Sequence, residues 1–217
     1  MKLKGAIFDL DGTLLDSMPY WDNLGENYLK QKGHNPPKNL KEILKTMSLA
    51  EAAQYFKQEY SISGTPNEII KEILGLIENQ YRFAIPLKTY VIPFLDYLYE
   101  SNVKMCIATA TDHGLAKAAL ERLEVAKYFE FILTCSEAGM GKDNPEFFIK
   151  ALELLKTPIN ETMVFEDAIH AIKSAKAAGF CVTALYDKSS HEDQEEIKLI
   201  ADIYLNSFED WKEKLIL

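Results

Sequence analysis

The sequence predicts an α/β protein: a parallel sheet with helices on both faces, interrupted after its first strand by an all-helical segment. Three observations carry this. A short apolar run, Leu3 to Leu10, opens the chain and is followed by the turn residue Gly12. From about residue 16 to 87, apolar residues recur only at helical spacing. Beyond Pro86, short apolar runs alternate with helical patterns up to the C-terminus. Strands that alternate with helices imply right-handed crossovers and a parallel sheet.

Taken in order, Leu3 to Leu10 reads as a buried first strand, apolar apart from Lys4 and Asp9. In the helical segment, Tyr20, Leu24, Tyr28 and Leu29 share a helix face, as do Ala52, Tyr55 and Phe56, and then Ile69, Ile70, Ile73, Leu74, Ile77 and Tyr81. Breaks fall at Gly33 to Pro37 and Ser61 to Pro66. Ser48 with Glu51 three residues on fits a capping box, and about four helices are expected. The second half reads as a helix over 93–101 and a strand over 104–108, a helix over 113–123 and a strand over 131–134. A helix over 145–155 then leads to a strand over 162–165, and a helix over 168–178 to a strand over 181–185. Gly179 stands where a helix needs a left-handed terminating residue. A short strand near Ile203 and Tyr204 and a helix near 208–214 close the series. A crossover needs one helix, so most of the interval between the first two strands is inserted. The expected domains are therefore 1–15 with 88–217 as core, and 16–87 as a helical lid over the active face, hinged near Asp16 and Ile85 to Lys88.

Composition removes whole classes of function. Of 217 residues, 47% are hydrophobic and 26% charged, which excludes intrinsic disorder and collagen-like repetition. Against 33 Asp and Glu stand 24 Lys and Arg, dispersed rather than clustered, so the net charge of −9 argues against a nucleic-acid partner. Cys106, Cys135 and Cys181 lie in or beside apolar runs without metal-ligand spacing and read as buried thiols of a reducing compartment. No stretch approaches the roughly 18 apolar residues of a membrane span. Asp9 and Asp11 interrupt the N-terminal run before it could serve as a secretion signal. A cytoplasmic monomer without a membrane partner is the expectation.

Ligands of such folds sit beyond the carboxyl ends of the strands, and four chemically loaded segments fall there. Asp9-Leu10-Asp11-Gly12-Thr13 follows the first strand, Thr109 ends the second, Lys142 lies in a Gly-rich loop before Asp143-Asn144-Pro145, and Glu166-Asp167 follows Met163-Val164-Phe165. Carboxylates, a hydroxyl and one ammonium suit a hard divalent cation and a phosphoryl group. A carboxylate can attack phosphorus and divide a difficult displacement into two. A second one can protonate the leaving oxygen and then take a proton from water. Asp9 and Asp11, two residues apart on extended chain, lie on the same side, about 6–7 Å apart at Cα. A calcium loop would need a preceding helix and a Glu at its twelfth position; here a strand precedes and that position is Tyr20.

Phe8-Asp9-Leu10-Asp11-Gly12-Thr13-Leu14, Thr109, Lys142 with Pro145, and Glu166-Asp167 together resemble the four motifs of the haloacid dehalogenase-like hydrolase superfamily, in order and spacing along the whole chain. The resemblance implies a Rossmann-like three-layer core, a mobile helical cap and Mg²⁺-dependent phosphoryl transfer through an aspartyl phosphate. It implies Asp9 as nucleophile and Asp11 as general acid and base. It also implies Mg²⁺ on Asp9, the Asp11 carbonyl and Asp167 with Glu166 in support, and a phosphoryl group held by Thr109, the Ala110 amide and Lys142. Asp11 sets the chain apart from true dehalogenases. Ala108-Thr109-Ala110-Thr111 and Leu15-Asp16-Ser17 look like the β-phosphoglucomutase and sugar-phosphatase branch. The mutase pattern has a histidine where Trp21 stands and an arginine where Leu49 stands, four residues beyond Lys45, which favours a phosphatase acting on a small phosphorylated metabolite. Trp21, Lys45 and Met47, with His113, are the candidates for contact with the leaving group. A phosphosugar mutase and a non-catalytic, receiver-like phosphate module are the alternatives; receivers carry their phosphoacceptor after the third strand rather than the first.

Overall fold

A computed structural model describes residues 3–44, 47 and 49–214. By internal contacts the chain divides into two compact units, residues 1–18 with 85–217, and residues 19–84.

In chain order the elements are β1 (Gly5–Phe8), α1 (Met18–Asp22), α2 (Leu24–Gln31), α3 (Leu40–Leu44), α4 (Leu49–Glu59) and α5 (Pro66–Phe83). There follow α6 (Val91–Glu100), β2 (Lys104–Thr109), α7 (His113–Arg122), β3 (Ile132–Thr134), α8 (Cys135–Ala138) and α9 (Pro145–Leu155). The series ends with β4 (Thr162–Glu166), α10 (Ile169–Ala177), β5 (Cys181–Leu185), α11 (Gln194–Ile200), β6 (Ile203–Leu205) and α12 (Trp211–Lys214). The six strands form one sheet in the order β3-β2-β1-β4-β5-β6, and every pairing is parallel. The order reverses at β1, whose neighbours are β2 and β4; this is the switch point at which an α/β sheet opens a crevice beyond its strand ends.

Burial on both faces explains the near-continuous apolar strands. Alternate residues serve opposite faces. Ile7, Cys106, Ala108, Val164 and Val182 pack with Phe147, Phe148 and Ala151 of α9, Ala171 and Ile172 of α10, and Ile197 of α11. On the other face Phe8 stacks on Phe165 with ring centroids 4.4 Å apart, and Phe94 of α6 meets Phe8, Phe165, Phe208 and Trp211.

Over residues 16–87 the described residues form five helices, α1 to α5, and no strand, where about four helices were expected. Tyr28, Phe56, Ile69, Ile73, Ile77 and Tyr81 form the interior of the second unit. Helix α5 opens with Thr65, which accepts from the Glu68 amide while the Glu68 carboxylate accepts from the Thr65 amide; Pro66 takes the first helical position. Ser48, expected to cap α4, lies outside the described residues.

Local sequence also positions the loops of the first unit. Gly179 takes φ +91° after α10, as its place in the sequence required. Thr134 and Glu137 form a capping box that starts α8 at once after β3, and Gly139 ends it with φ +74°. This short helix was not foreseen, and it fixes the root of the loop carrying Lys142. Asn144 caps α9 on the far side of that loop.

Candidate active site

The rim of the sheet at the carboxyl ends of β1 and β4 gathers buried charge. Asp9 directly follows β1, where its amide donates to the Phe165 carbonyl at 2.9 Å. Glu166 ends β4 and Asp167 follows it; both are buried, as is Lys142. The Lys142 ammonium donates to Asp9 Oδ1 and, at 2.7 Å, to Glu166 Oε1. Glu166 Oε2 accepts from the amides of Asp167 and Ala168 at 2.6 and 2.7 Å, so both Glu166 oxygens are engaged. Thr13, fully buried, donates its hydroxyl to Asp167 Oδ1 at 3.0 Å.

Gly12 makes this arrangement possible. It adopts φ +87°, and a Cβ there would stand 2.5 Å from Asp167 Oδ2. The loop is closed by the amides of Leu14 and Leu15 donating to the Leu10 carbonyl, and by the Gly12 amide donating to that of Leu15. Asp11, half-buried in this loop, accepts a hydrogen bond at Oδ2 from the Thr111 hydroxyl at 2.6 Å. At the end of β2 the Thr111 amide donates to Thr109 Oγ1 at 3.0 Å, and Asp112 caps α7 through the amides of Gly114 and Leu115. Ala110 is exposed between them.

The electrostatics of the cluster call for added positive charge. Burial lifts the Asp9 carboxyl to about 7, with help from the Glu166 and Asp11 charges and against the pull of Lys142. Burial likewise lifts Asp167 well above the usual carboxylate range, reinforced by Glu166 and Asp9. Burial alone would favour a neutral Lys142 amine, but Asp9 and Glu166 override it and keep the ammonium charged. Three buried carboxylates thus face one buried ammonium, and the excess when all are ionised equals the charge of one divalent cation. Ligand oxygens of Asp9, Glu166 and Asp167 lie within 4.8 Å of one another. Asp9 Oδ2 is buried without a hydrogen-bond partner, a costly state for a carboxylate oxygen. A buried oxygen without a donor, beside a second unneutralised carboxylate, fits a hard cation.

His113 is exposed and its Nδ1 lies 2.9 Å from Glu137 Oε1. Trp21 lies half-buried in the second unit, where its indole N–H donates to Tyr81 Oη at 3.0 Å and the two rings meet edge to face. Met47 is half-buried with its amide on the Leu44 carbonyl, and Lys45 lies outside the described residues. Two features escaped the sequence reading. Thr13 and Thr111 hold the carboxylates of Asp167 and Asp11, although both lie in segments the motifs had singled out. The ion pair of Lys88 with Asp187, 2.8 Å long and buried on the Asp187 side, joins residues with no shared motif.

Comparison with known proteins decides the family. The family model of the haloacid dehalogenase-like hydrolases matches residues 6–185. The chain belongs to the haloacid dehalogenase-like hydrolases. Among curated relatives of this hydrolase, a phosphorylated carbohydrates phosphatase of Thermotoga maritima is 24% identical over 177 residues, covering 82% of each chain. Hexitol phosphatase A of Escherichia coli is 25% identical over 212 residues, covering 92% of the hydrolase and 91% of the relative. Among solved structures, a candidate β-phosphoglucomutase of Thermotoga maritima superposes with a TM-score of 0.86 at 20% identity, over 99% of the hydrolase and all of that chain. That likeness establishes the fold: an α/β core with a helical segment in the place of the family's cap.

Proposed function

We propose that this hydrolase is a Mg²⁺-dependent phosphatase of a phosphorylated sugar or polyol, working through an aspartyl phosphate on Asp9. The observation that carries the reading is the buried Asp9, tied through one oxygen to Lys142 and left without a hydrogen-bond donor at the other. The names of the relatives support the substrate class. In this reading 1–15 with 88–217 is the catalytic core and 16–87 its cap.

Asp9, Asp167 and the Asp11 carbonyl, with Glu166 behind them, would hold Mg²⁺, which supplies the positive charge that lets an anion approach a phosphate. An Asp9 carboxylate oxygen attacks phosphorus, the bond from phosphorus to the ester oxygen breaks, and that oxygen keeps the electron pair. Asp11 gives the departing oxygen its proton. Lys142 balances charge on the transferring group, and Thr109 with the Ala110 amide orients its oxygens. Asp11, now ionised, takes a proton from water as that water attacks phosphorus. The acyl phosphate bond breaks, Asp9 is regenerated and inorganic phosphate is released. Glu166 acts on Lys142 and on the loop amides, since both its oxygens are engaged there.

The test is phosphate release from sugar phosphates, polyol phosphates, nucleotides and p-nitrophenyl phosphate, with Mg²⁺ and with EDTA, beside Asp9→Asn. Mg²⁺-dependent release that is strongest on sugar or polyol phosphates and lost in Asp9→Asn is the expected result. A folded protein that releases phosphate from none of them would overturn the proposal.

A further inference from the structure

The contact between Thr111 and Asp11 joins residues a hundred positions apart, and it engages the side chain that the mechanism asks to move a proton. The Thr111 hydroxyl donates to Asp11 Oδ2 at 2.6 Å. The donor is held firmly. Thr111 is buried, its amide is fixed to Thr109 Oγ1, and the next residue, Asp112, caps α7 through two amides. A β-branched side chain there has little rotamer freedom. Asp11 stands beyond the end of β1, half-buried, beside a glycine at positive φ. The turn that presents Thr109 therefore also fixes the angle of a carboxylate rooted on another strand.

We propose that Thr111 is a positioning residue for Asp11: its hydroxyl holds the Asp11 carboxyl in the orientation from which it protonates the leaving oxygen. This rests on the phosphatase reading above. Thr111 itself need not touch the reacting atoms. As the bond between phosphorus and the ester oxygen breaks, the electron pair passes to that oxygen and the Asp11 proton follows it. A carboxyl free to turn would meet that oxygen less often, and misplacement by about an ångström can cost on the order of a hundredfold. The consequence depends on the leaving group. An alkoxide cannot depart at neutral pH without a proton, whereas p-nitrophenolate leaves unprotonated. Loss of the Thr111 hydroxyl must therefore fall on alkyl phosphates and largely spare aryl ones.

The experiment compares kcat/KM for p-nitrophenyl phosphate and for a polyol phosphate that the wild type hydrolyses, in wild type, Thr111→Val, Thr111→Ser, Asp11→Asn and the double variant Thr111→Val with Asp11→Asn. The parameter kcat/KM reports steps up to formation of the aspartyl phosphate, so later hydrolysis does not blur the comparison. Thr111→Val should raise the ratio of aryl to alkyl activity by about 10–100-fold. Thr111→Ser should return it to the wild-type ratio. In the Asp11→Asn background Thr111→Val should change the ratio by less than about twofold, because the two residues act as one unit. Equal loss on both substrates would mark Thr111 as merely structural and overturn the proposal, as would no change on either. Thermal melts identify misfolded variants, and Thr111→Ala replaces valine if valine prevents folding. A wild type inert on both compounds would sink the phosphatase reading itself. An active wild type with an altered ratio in Asp11→Asn but not in Thr111→Val would sink this inference alone.

Discussion

Replacing Gly12 by alanine should damage the site through one identifiable contact. Gly12 sits at φ +87°, and an added Cβ would lie 2.5, 2.8 and 2.9 Å from Oδ2, Cγ and Oδ1 of Asp167. The backbone conformation alone costs a residue with a Cβ about 1–2 kcal/mol. Relief of the clash requires Asp167 to turn away, which breaks its hydrogen bond from Thr13. Such a hydrogen bond contributes about 0.5–1.5 kcal/mol net. The sum is a loss of about 1.5–3.5 kcal/mol in urea unfolding without metal. Turning Asp167 also spoils a proposed cation ligand, and Mg²⁺ tolerates little departure from octahedral geometry. Calorimetric titration with MgCl₂ in the absence of substrate should show affinity reduced more than about tenfold. Gly33→Ala is the internal control: it has φ +83° but nothing within 4 Å of the added Cβ, so only the backbone cost applies. If Gly12→Ala lost no more stability than Gly33→Ala and bound Mg²⁺ as the wild type does, the placement of Asp167 as a cation ligand would be refuted.

Further expectations concern charge and capping. Lys142→Met leaves Asp9 and Glu166 without their shared ammonium and should lower stability by about 3 kcal/mol in metal-free urea melts. It should also reduce phosphate release at least about a hundredfold, and a variant retaining near-wild-type turnover would remove Lys142 from the mechanism. Burial would raise the Asp187 carboxyl, but Lys88 and Ser189 hold it below the usual carboxylate range. A folded value below the unfolded one stabilises above the unfolded value and loses that contribution as pH falls through the folded one. Asp187→Asn should therefore cost about 3 kcal/mol near neutrality, with the gap to wild type closing in urea melts below about pH 4. A gap independent of pH would rule out the ion pair as its source. Thr65→Ala should lower the stability of the helical unit by about 1 kcal/mol by removing the cap of α5, and unchanged melts would show that α5 does not depend on its cap.

Much of the fold was legible because local chemistry marks it. Helix α9 and strand β5 have the bounds read from the sequence, since Asn144-Pro145 announces the first and Gly179 precedes the second. The first strand is shorter than the apolar run that predicted it, spanning Gly5–Phe8 rather than Leu3 to Leu10. Apolarity marks burial, and the chain stays buried past the strand as it turns into the Asp9 loop. Helix α8 was missed because Ile132-Leu133-Thr134-Cys135 reads as one strand-like run. The signal was present three residues on, where Glu137 completes the capping box begun by Thr134. At the site, Asp9, Lys142, Glu166 and Asp167 were legible because strand ends in a parallel sheet converge. The pairs Thr111 with Asp11 and Lys88 with Asp187 were not, because nothing local records which distant side chain a hydroxyl or an ammonium will meet.

The claim at the centre of this account is that Asp9 carries the phosphoryl group, and the most direct test is to trap it there. The enzyme would be mixed with substrate and Mg²⁺, quenched in acid within one turnover, digested and examined by mass spectrometry. The expected result is a phosphoryl mass increment on the peptide containing Asp9. With p-nitrophenyl phosphate, whose leaving group needs no proton, it should be larger in Asp11→Asn, where hydrolysis of the intermediate lacks its base, and absent in Asp9→Asn. Phosphate release at full rate with no label on that peptide in either wild type or Asp11→Asn would contradict it and point to direct attack by water.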